Sequence, residues 1–223
     1  MNNLKGEKEL FDRSYYEKIF HGGFELNNPP YKQKYFLKRI RDFKKEGRLL
    51  EVGFGCGIFL KYASRYFKCT GIEISKFAFD EALKLVNGDP DIELYNISLE
   101  EFSTDKRFDV ICCFDVLEHI PDVDSAISKI KSLLAPGGIF VMIVPVYDTL
   151  LGKVYKITDK DHTHYWKKSR SFWIEKLNSY GFNILKKEGL FRHLFFNKYY
   201  LQFGRTVYYP IMPGIFIIAT RTG

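Results

Sequence analysis

Glu51-Val-Gly53-Phe-Gly55-Cys-Gly57 and Gly71-Ile-Glu73-Ile-Ser75 place two acids and a run of alternating glycines where a nucleotide could be held. Glycines at alternate positions let the backbone turn tightly and let a ligand approach without a Cβ in the way. Glu73 follows Gly53 by 20 residues, about the separation at which an acid accepts hydrogen bonds from ribose hydroxyls in nucleotide-binding α/β folds. A solvated acid at a strand end is the plainer alternative, and the preceding glycine turn favours the ribose role. The dinucleotide fingerprint G-x-G-x-x-G, counted from Gly53, needs a glycine where Ile58 stands, which disfavours a nucleotide-dependent oxidoreductase.

A second stretch, Asp159-Lys-Asp161-His162-Thr-His164-Tyr165-Trp166, carries two imidazoles between acids and aromatics. His164 or His162 could act as a base or position a substrate; the alternative is a loop anchor that caps the next helix. The same H-x-H pair with Asp159 or Asp161 could ligate a metal, but two nearby ligands arise easily by coincidence, and no metal is expected. His119 reads as a residue that orients helix and strand rather than one that transfers protons. Cys112 and Cys113 lie inside one apolar run and read as core.

The elements that must position these groups alternate between two periods. Strands are expected at 48–53, 69–74, 92–97, 108–114 and 139–146, and helices at 58–67, 77–86 and 122–134. Ser75 is a candidate cap for the helix at 77–86, and Asn87-Gly88 its stop. Pro136-Gly137-Gly138 closes the last of these helices. This alternation implies a parallel sheet with helices on both faces. Beyond Val146 the rhythm changes. Residues 147–168 read as irregular and polar, a helix runs from Ser169 or Ser171 to Tyr180, and strands are expected at 182–190 and 214–221. Phe191, Phe195, Tyr199 and Phe203 recur every four residues and suggest an amphipathic helix, either core, a lid, or a membrane-surface element. Residues 1–45 look helical, with Tyr31, Tyr35, Phe36, Ile40 and Phe43 as apolar stripes.

The chain has 223 residues, enough for one α/β domain with appendages, and 46% of them are hydrophobic. No run of 18 apolar residues occurs, so no transmembrane helix is expected. The first residues, MNNLKGEKELFDR, hold no apolar core of a secretory signal, and four Cys without a disulfide-like pattern fit a reducing cytoplasm. The net charge of +7 is uneven: residues 1–48 carry +5, residues 49–150 carry −7 and residues 151–223 carry +9. An acidic middle between basic ends is not the uniform footprint of a nucleic-acid binder, and none is expected as a partner.

Four blocks together carry a family resemblance: Glu51–Gly57, Gly71–Ser75, the run Phe108-Asp109-Val to Asp115-Val-Leu-Glu118-His119, and Leu133-Leu134-Ala-Pro136-Gly137-Gly138. In this order and spacing they resemble the class I S-adenosylmethionine-dependent methyltransferases of small-molecule type, near the group that includes the ubiquinone-biosynthesis O-methyltransferases. The resemblance covers residues 48–146. It implies a doubly wound α/β sheet of seven strands with the last strand antiparallel, a helical cap at 1–45, a methyltransferase domain at 46–223, and acceptor-side segments at 147–170 and 191–213. It implies S-adenosylmethionine as cofactor, S-adenosylhomocysteine as product, and a small-molecule acceptor; the aromatic content of the acceptor-side segments favours an aromatic or apolar one. Peripheral membrane contact is not expected. Glu51 would face the methionine amino group. Gly53, Gly55 and Gly57 would pass under methionine and ribose, Glu73 would take the ribose hydroxyls, and Ile74 would pack on adenine. Asn96 stands where the family usually has an acid near the adenine amine; its carbonyl still accepts a hydrogen bond but adds no charge. Asp115 ends strand four, where donor and acceptor would meet. Two other readings stay open: a cofactor-binding protein without turnover, and a methyltransferase acting on RNA or protein. A thiol-based arsenic methyltransferase is disfavoured, because neighbouring residues of one strand cannot both face the donor.

Overall fold

A computed structural model describes residues 10–19, 24–159, 161–196 and 198–221. Phe20, one of the apolar residues of the expected N-terminal helices, lies outside them. The chain forms two compact units, residues 1–105 with 194–200, and residues 106–193 with 201–223. They part inside the stretch 48–146 that the motifs span.

In the first unit, helices α1 (Arg13–Ile19), α2 (Phe24–Asn27) and α3 (Pro30–Arg41) precede β1 (Gly47–Val52), α4 (Ile58–Ala63), β2 (Phe67–Ile72), α5 (Lys76–Val86) and β3 (Ile92–Tyr95). The strands are parallel in the order β3-β2-β1. Leu49, Leu50 and Val52 are all buried, the continuous burial of a strand covered on both faces. Both expected signals of α5 are present. Ser75 Oγ accepts from the Ala78 amide, and Asn87 closes the helix in the left-handed region at φ 38°. Gly57, at φ 76°, lies against α5 so closely that a Cβ there would sit 2.9 Å from that of Ala82. The helix after the glycine turn ends at Ala63, earlier than its pattern suggests, because Phe67 already belongs to β2.

The second unit holds β4 (Phe108–Phe114), a 3₁₀ turn (Leu117–His119), α6 (Val123–Leu133), β5 (Leu134–Pro145), α7 (Leu150–Thr158), α8 (Arg170–Ser179), β6 (Phe182–Phe195), most of β7 (Tyr199–Arg205) and β8 (Gly214–Arg221). β5 is parallel to β4 and antiparallel to β8, and β8 is antiparallel to β6. The antiparallel last strand is thus present at its expected limits. Asp122 and Ser169 cap α6 and α8 through the amides of Ser125 and Phe172.

Three expectations need correction. Strand five begins at Leu134 and carries Pro136-Gly137-Gly138 inside it, with a slip in its pairing to β4 between Phe108 and Val110. The segment 147–168 is not irregular throughout: Thr149 Oγ1 accepts from the Gly152 amide at 2.8 Å and starts α7. That helix leaves Leu150, Val154 and Ile157 exposed, so no buried stripe announced it. Finally, the aromatic run is strand, not helix. A spacing of four is also even, so residues four apart share a face of a strand as they do of a helix. Phe191 on β6 and Phe203 on β7 stack with ring centroids 5.1 Å apart, and the extra strand raises the described total to eight.

Candidate functional site

The first unit gathers Glu51, Glu73, Asn96 and the glycine loop at the carboxyl ends of β1, β2 and β3. Gly53, Gly55 and Gly57 take φ values of 69°, 56° and 76°, a left-handed backbone that other residues enter only with strain. Glu73 is buried, and backbone holds both of its oxygens: Oε2 accepts from the Gly55 amide and Oε1 from the Ser75 amide, each at 2.8 Å. Burial raises its carboxyl above the ordinary value, against the pull of those amides. A carboxylate offers about four acceptor positions, so the backbone does not exhaust those of Glu73. Asn96 Nδ2 donates to the Glu73 and Ile74 carbonyls at 2.8 and 3.1 Å, which leaves its own carbonyl as an acceptor.

Glu51 is buried, and its Oε2 has no hydrogen-bond partner among the described residues. Burial first, then the charge of Glu73, raises its carboxyl well above the usual range, with Lys32 acting the other way. A buried carboxylate oxygen with no donor favours an incoming cation. Burial also pushes the Cys56 thiol up to about 12, so it is a packing residue rather than a nucleophile.

The second unit builds a denser cluster below Asp115, which sits just after β4 at φ 57°. Arg192 of β6 grips the Asp115 carboxylate with both terminal guanidinium nitrogens, Nη2 lying 2.6 Å from Oδ1. Glu118 is 1% exposed, and neither of its carboxylate oxygens has a hydrogen-bond partner among the described residues. Burial, then the Asp115 charge, raises its carboxyl well above the usual range. The Glu118 carbonyl accepts from the Tyr165 and Trp166 amides, so the His-containing loop is tied directly to the 3₁₀ turn.

His164 is drawn into this cluster. Its Nδ1 lies 2.8 Å from Asp159 Oδ2, which also accepts from the Tyr147 hydroxyl at 2.6 Å and pairs with Lys167 Nζ at 3.0 Å. Burial works to raise the Asp159 carboxyl, but the hydrogen bonds from His164 and Tyr147 outweigh it and hold the group well below the usual range. An ionised Asp159 accepts a hydrogen bond from the Nδ1–H and so fixes the His164 tautomer. His119 places Nδ1 2.8 Å from Thr163 Oγ1, and its ring centroid lies 4.6 Å from that of His164. Burial and the neighbouring His164 lower His119 to about 4.

Of the two histidines singled out in the sequence, the structure places His164 in the cluster and leaves His162 exposed. Cys112 and Cys113 are buried core, as expected. Glu118, His119 and Arg192 are not read as site residues from the sequence. The adjacent pair Glu118-His119 was visible as a motif, but its burial was not. In the first unit, sequence reasoning missed Phe24, whose ring lies 3.7 Å from where a Cβ on Gly55 would stand.

A family described as a methyltransferase domain matches residues 29–187. The ubiquinone biosynthesis O-methyltransferase of Alkalilimnicola ehrlichii is 37% identical over 95 residues, 41% of this chain and 38% of that protein. Its counterpart from Rickettsia typhi is 27% identical over 187 residues, 76% of this chain and 74% of that one. In the first of these relatives the chain thus spans about two fifths of their length. A Thermotoga maritima structure, described as a SAM-dependent methyltransferase and possible histamine N-methyltransferase, superposes with a TM-score of 0.70 at 18% identity, covering 98% of this chain and 100% of that one. The [4+2]-cyclase SpnF superposes with a TM-score of 0.60 at 23% identity over 76% of this chain and 65% of that one, so the same fold also carries a different chemistry.

Proposed function

From the premise that this chain belongs to the methyltransferase-domain family, we propose that it transfers a methyl group from S-adenosylmethionine to an oxygen or nitrogen of a small, aromatic or apolar molecule. The observation that carries the reading is the pair of acids in the first unit. Glu73 keeps acceptor positions for ribose hydroxyls while two backbone amides lock its geometry. The orphaned Glu51 oxygen fits the methionine ammonium, directly or through water. The Asn96 carbonyl is available to an adenine amine, with Ile74 beside it. The names of the curated relatives favour oxygen as the acceptor atom.

The cofactor supplies an activated methyl group on a sulfonium. The protein's task is to align the acceptor, exclude water and manage the acceptor's proton. His164 is assigned to that last task. Asp159 holds its Nδ1–H, so in the neutral ring Nε2, which lies 3.8 Å from Asp161 Oδ2, carries the lone pair that takes the acceptor's proton. Within the second unit, Arg192 clamps Asp115 at the end of β4. A cofactor-binding protein without methyl transfer is the second reading, favoured by the cyclase that shares the fold.

Calorimetry tests the donor. S-adenosylhomocysteine should bind with a dissociation constant of about 1 µM, roughly 8 kcal/mol, and NAD should not bind measurably. Binding of NAD without S-adenosylhomocysteine would overturn the assignment. Labelled donor incubated with hydroxylated aromatic acceptors then separates the two readings: product label supports transfer, and tight binding without label on any acceptor supports the second.

A further inference from the structure

We propose that the edge of the first unit where β1 and β2 begin is a binding surface for single-stranded nucleic acid. Residues 30–48 carry eight basic and two acidic side chains, and residues 61–68 three basic and none acidic. Folding brings the two segments together. α3 packs on α4, and the Arg41 guanidinium at the end of α3 lies 3.7 Å over the ring of Tyr66, just past α4. α4 returns the chain between two parallel strands, so its carboxyl end lies at this edge, and a short loop joins the end of α3 to the start of β1. Arg48 and Lys68 are exposed partners in register at the two strand starts. The charge profile along the chain argues against such a partner because Lys61, Arg65 and Lys68 fall within its acidic middle; the fold places them beside α3.

The charge here differs from that of an ordinary solvated face. Elsewhere in the unit exposed cations pair with acids along their own helices, Arg13 with Glu17, Lys76 with Asp80 and Lys84 with Glu81. Lys34, Lys38, Arg41, Lys61, Arg65 and Lys68 form no ion pair among the described residues. Of the acids close to this edge, Asp42 and Glu46 lie in the loop before β1, and Asp89 accepts from Ser64 Oγ at 2.9 Å. Helix dipoles favour cations in a last turn, which accounts for Lys38, Arg39, Arg41 and Lys61. They do not account for Arg65, or for Arg48 and Lys68 on the strands. Clustered charge of one sign attracts a polyanion.

The rings decide which polyanion. Arg39 lies 3.5 Å from the centroid of Tyr35, and Arg65 5.4 Å from that of Tyr62. The large apolar side chains exposed within residues 30–68 are all aromatic: Tyr31, Phe43 and Tyr66. Unpaired bases stack on such rings and on guanidinium groups, while lysines follow the phosphates. A lipid surface needs an outward apolar stripe, and α3 turns Phe36, Leu37 and Ile40 into the core. A protein partner favours a lysine-poor patch, whereas the two segments hold seven lysines to four arginines.

β1 and β2 are each six residues long, so about 20 Å of sheet separates this edge from the glycine loop at their carboxyl ends. A strand held here is anchored away from the donor loop, and its binding requires no methyl transfer.

The test titrates untagged full-length protein into a short fluorescein-labelled oligouridylate, read by fluorescence anisotropy. Binding should be measurable at about 50 mM potassium chloride and fall with salt at a log–log slope of about −3, as for roughly four neutralised phosphates. Arg48→Gln together with Lys68→Gln should reduce that slope by about 1.4. Tyr66→Ala should weaken binding at least about fivefold, and Tyr66→Phe should keep it, a pattern that loss of charge alone does not give. Lys84→Gln, whose cation is paired with Glu81 on α5, should leave binding unchanged. Phosphatidylglycerol vesicles and a polyglutamate peptide serve as rival polyanions. Tighter binding to either at equal salt would overturn the proposal. So would absence of oligouridylate binding at about 50 mM salt, or binding that the charge and ring variants leave unchanged with native circular dichroism. S-adenosylhomocysteine affinity, measured on the same samples, should not move with these variants and reports separately on the donor assignment.

Discussion

Glu73 of the first unit is held by backbone amides, whereas Asp115 and Asp159 of the second are held chiefly by other side chains. Glu73 is fixed by the amides of Gly55 and Ser75, and the Asn96 side chain anchors the carbonyls beside it. Asp115 is fixed by Arg192, and Asp159 by His164, Tyr147 and Lys167. A backbone-built site tolerates variation in side chains but not in the glycines and the two acids. A side-chain network can be rebuilt for another acceptor while the sheet beneath it stays the same. The difference suits a shared donor in the first unit and a particular acceptor in the second.

The largest expected effect breaks the backbone side of this contrast. Gly55→Val puts a β-branched residue at φ 56°. S-adenosylhomocysteine binding should disappear from calorimetry while far-ultraviolet circular dichroism stays native, because Gly55 lies in a turn rather than in the sheet. Retained affinity would mean that the loop does not meet the ligand.

Glu73→Gln comes next. It keeps the shape and loses the charge, and should cost roughly 1.5–3 kcal/mol of cofactor affinity, read by the same titration. Unchanged affinity would reduce Glu73 to a brace for the loop.

Glu51→Gln sharpens the contrast through pH. Burial raises the native carboxyl above its unfolded value of about 4.3. Above that pH the unfolded chain releases a proton that the native chain retains, so Glu51 costs stability as pH rises. Glu51→Gln should therefore melt at a higher temperature than wild type at pH 7, with the gap closing as pH falls below about 4.3, while its cofactor affinity drops. A gap independent of pH would point to packing rather than charge.

The legibility of the two units follows from the same contrast. The glycine loop, Glu51 and Glu73 are local to strand ends, and their spacing is set by one βαβ unit, so sequence order shows them. The caps Ser75 and Ser169 are legible for the same reason. Glu118 and His164 are 46 residues apart and meet only because the loop at 161–166 hydrogen-bonds back to the turn after β4. Nothing in the local pattern states that contact. The aromatic run was misread because four residues is a repeat of both periods, and α7 because its apolar side chains point outward.

The division of labour between the units is tested most directly by comparing His164→Ala with wild type in two assays on one preparation. S-adenosylhomocysteine affinity should remain within about twofold, while methyl transfer to the best acceptor found should fall by about 10²–10⁴-fold. If affinity falls together with turnover, or if turnover persists, His164 does not serve the acceptor, and the two units do not divide the work in this way.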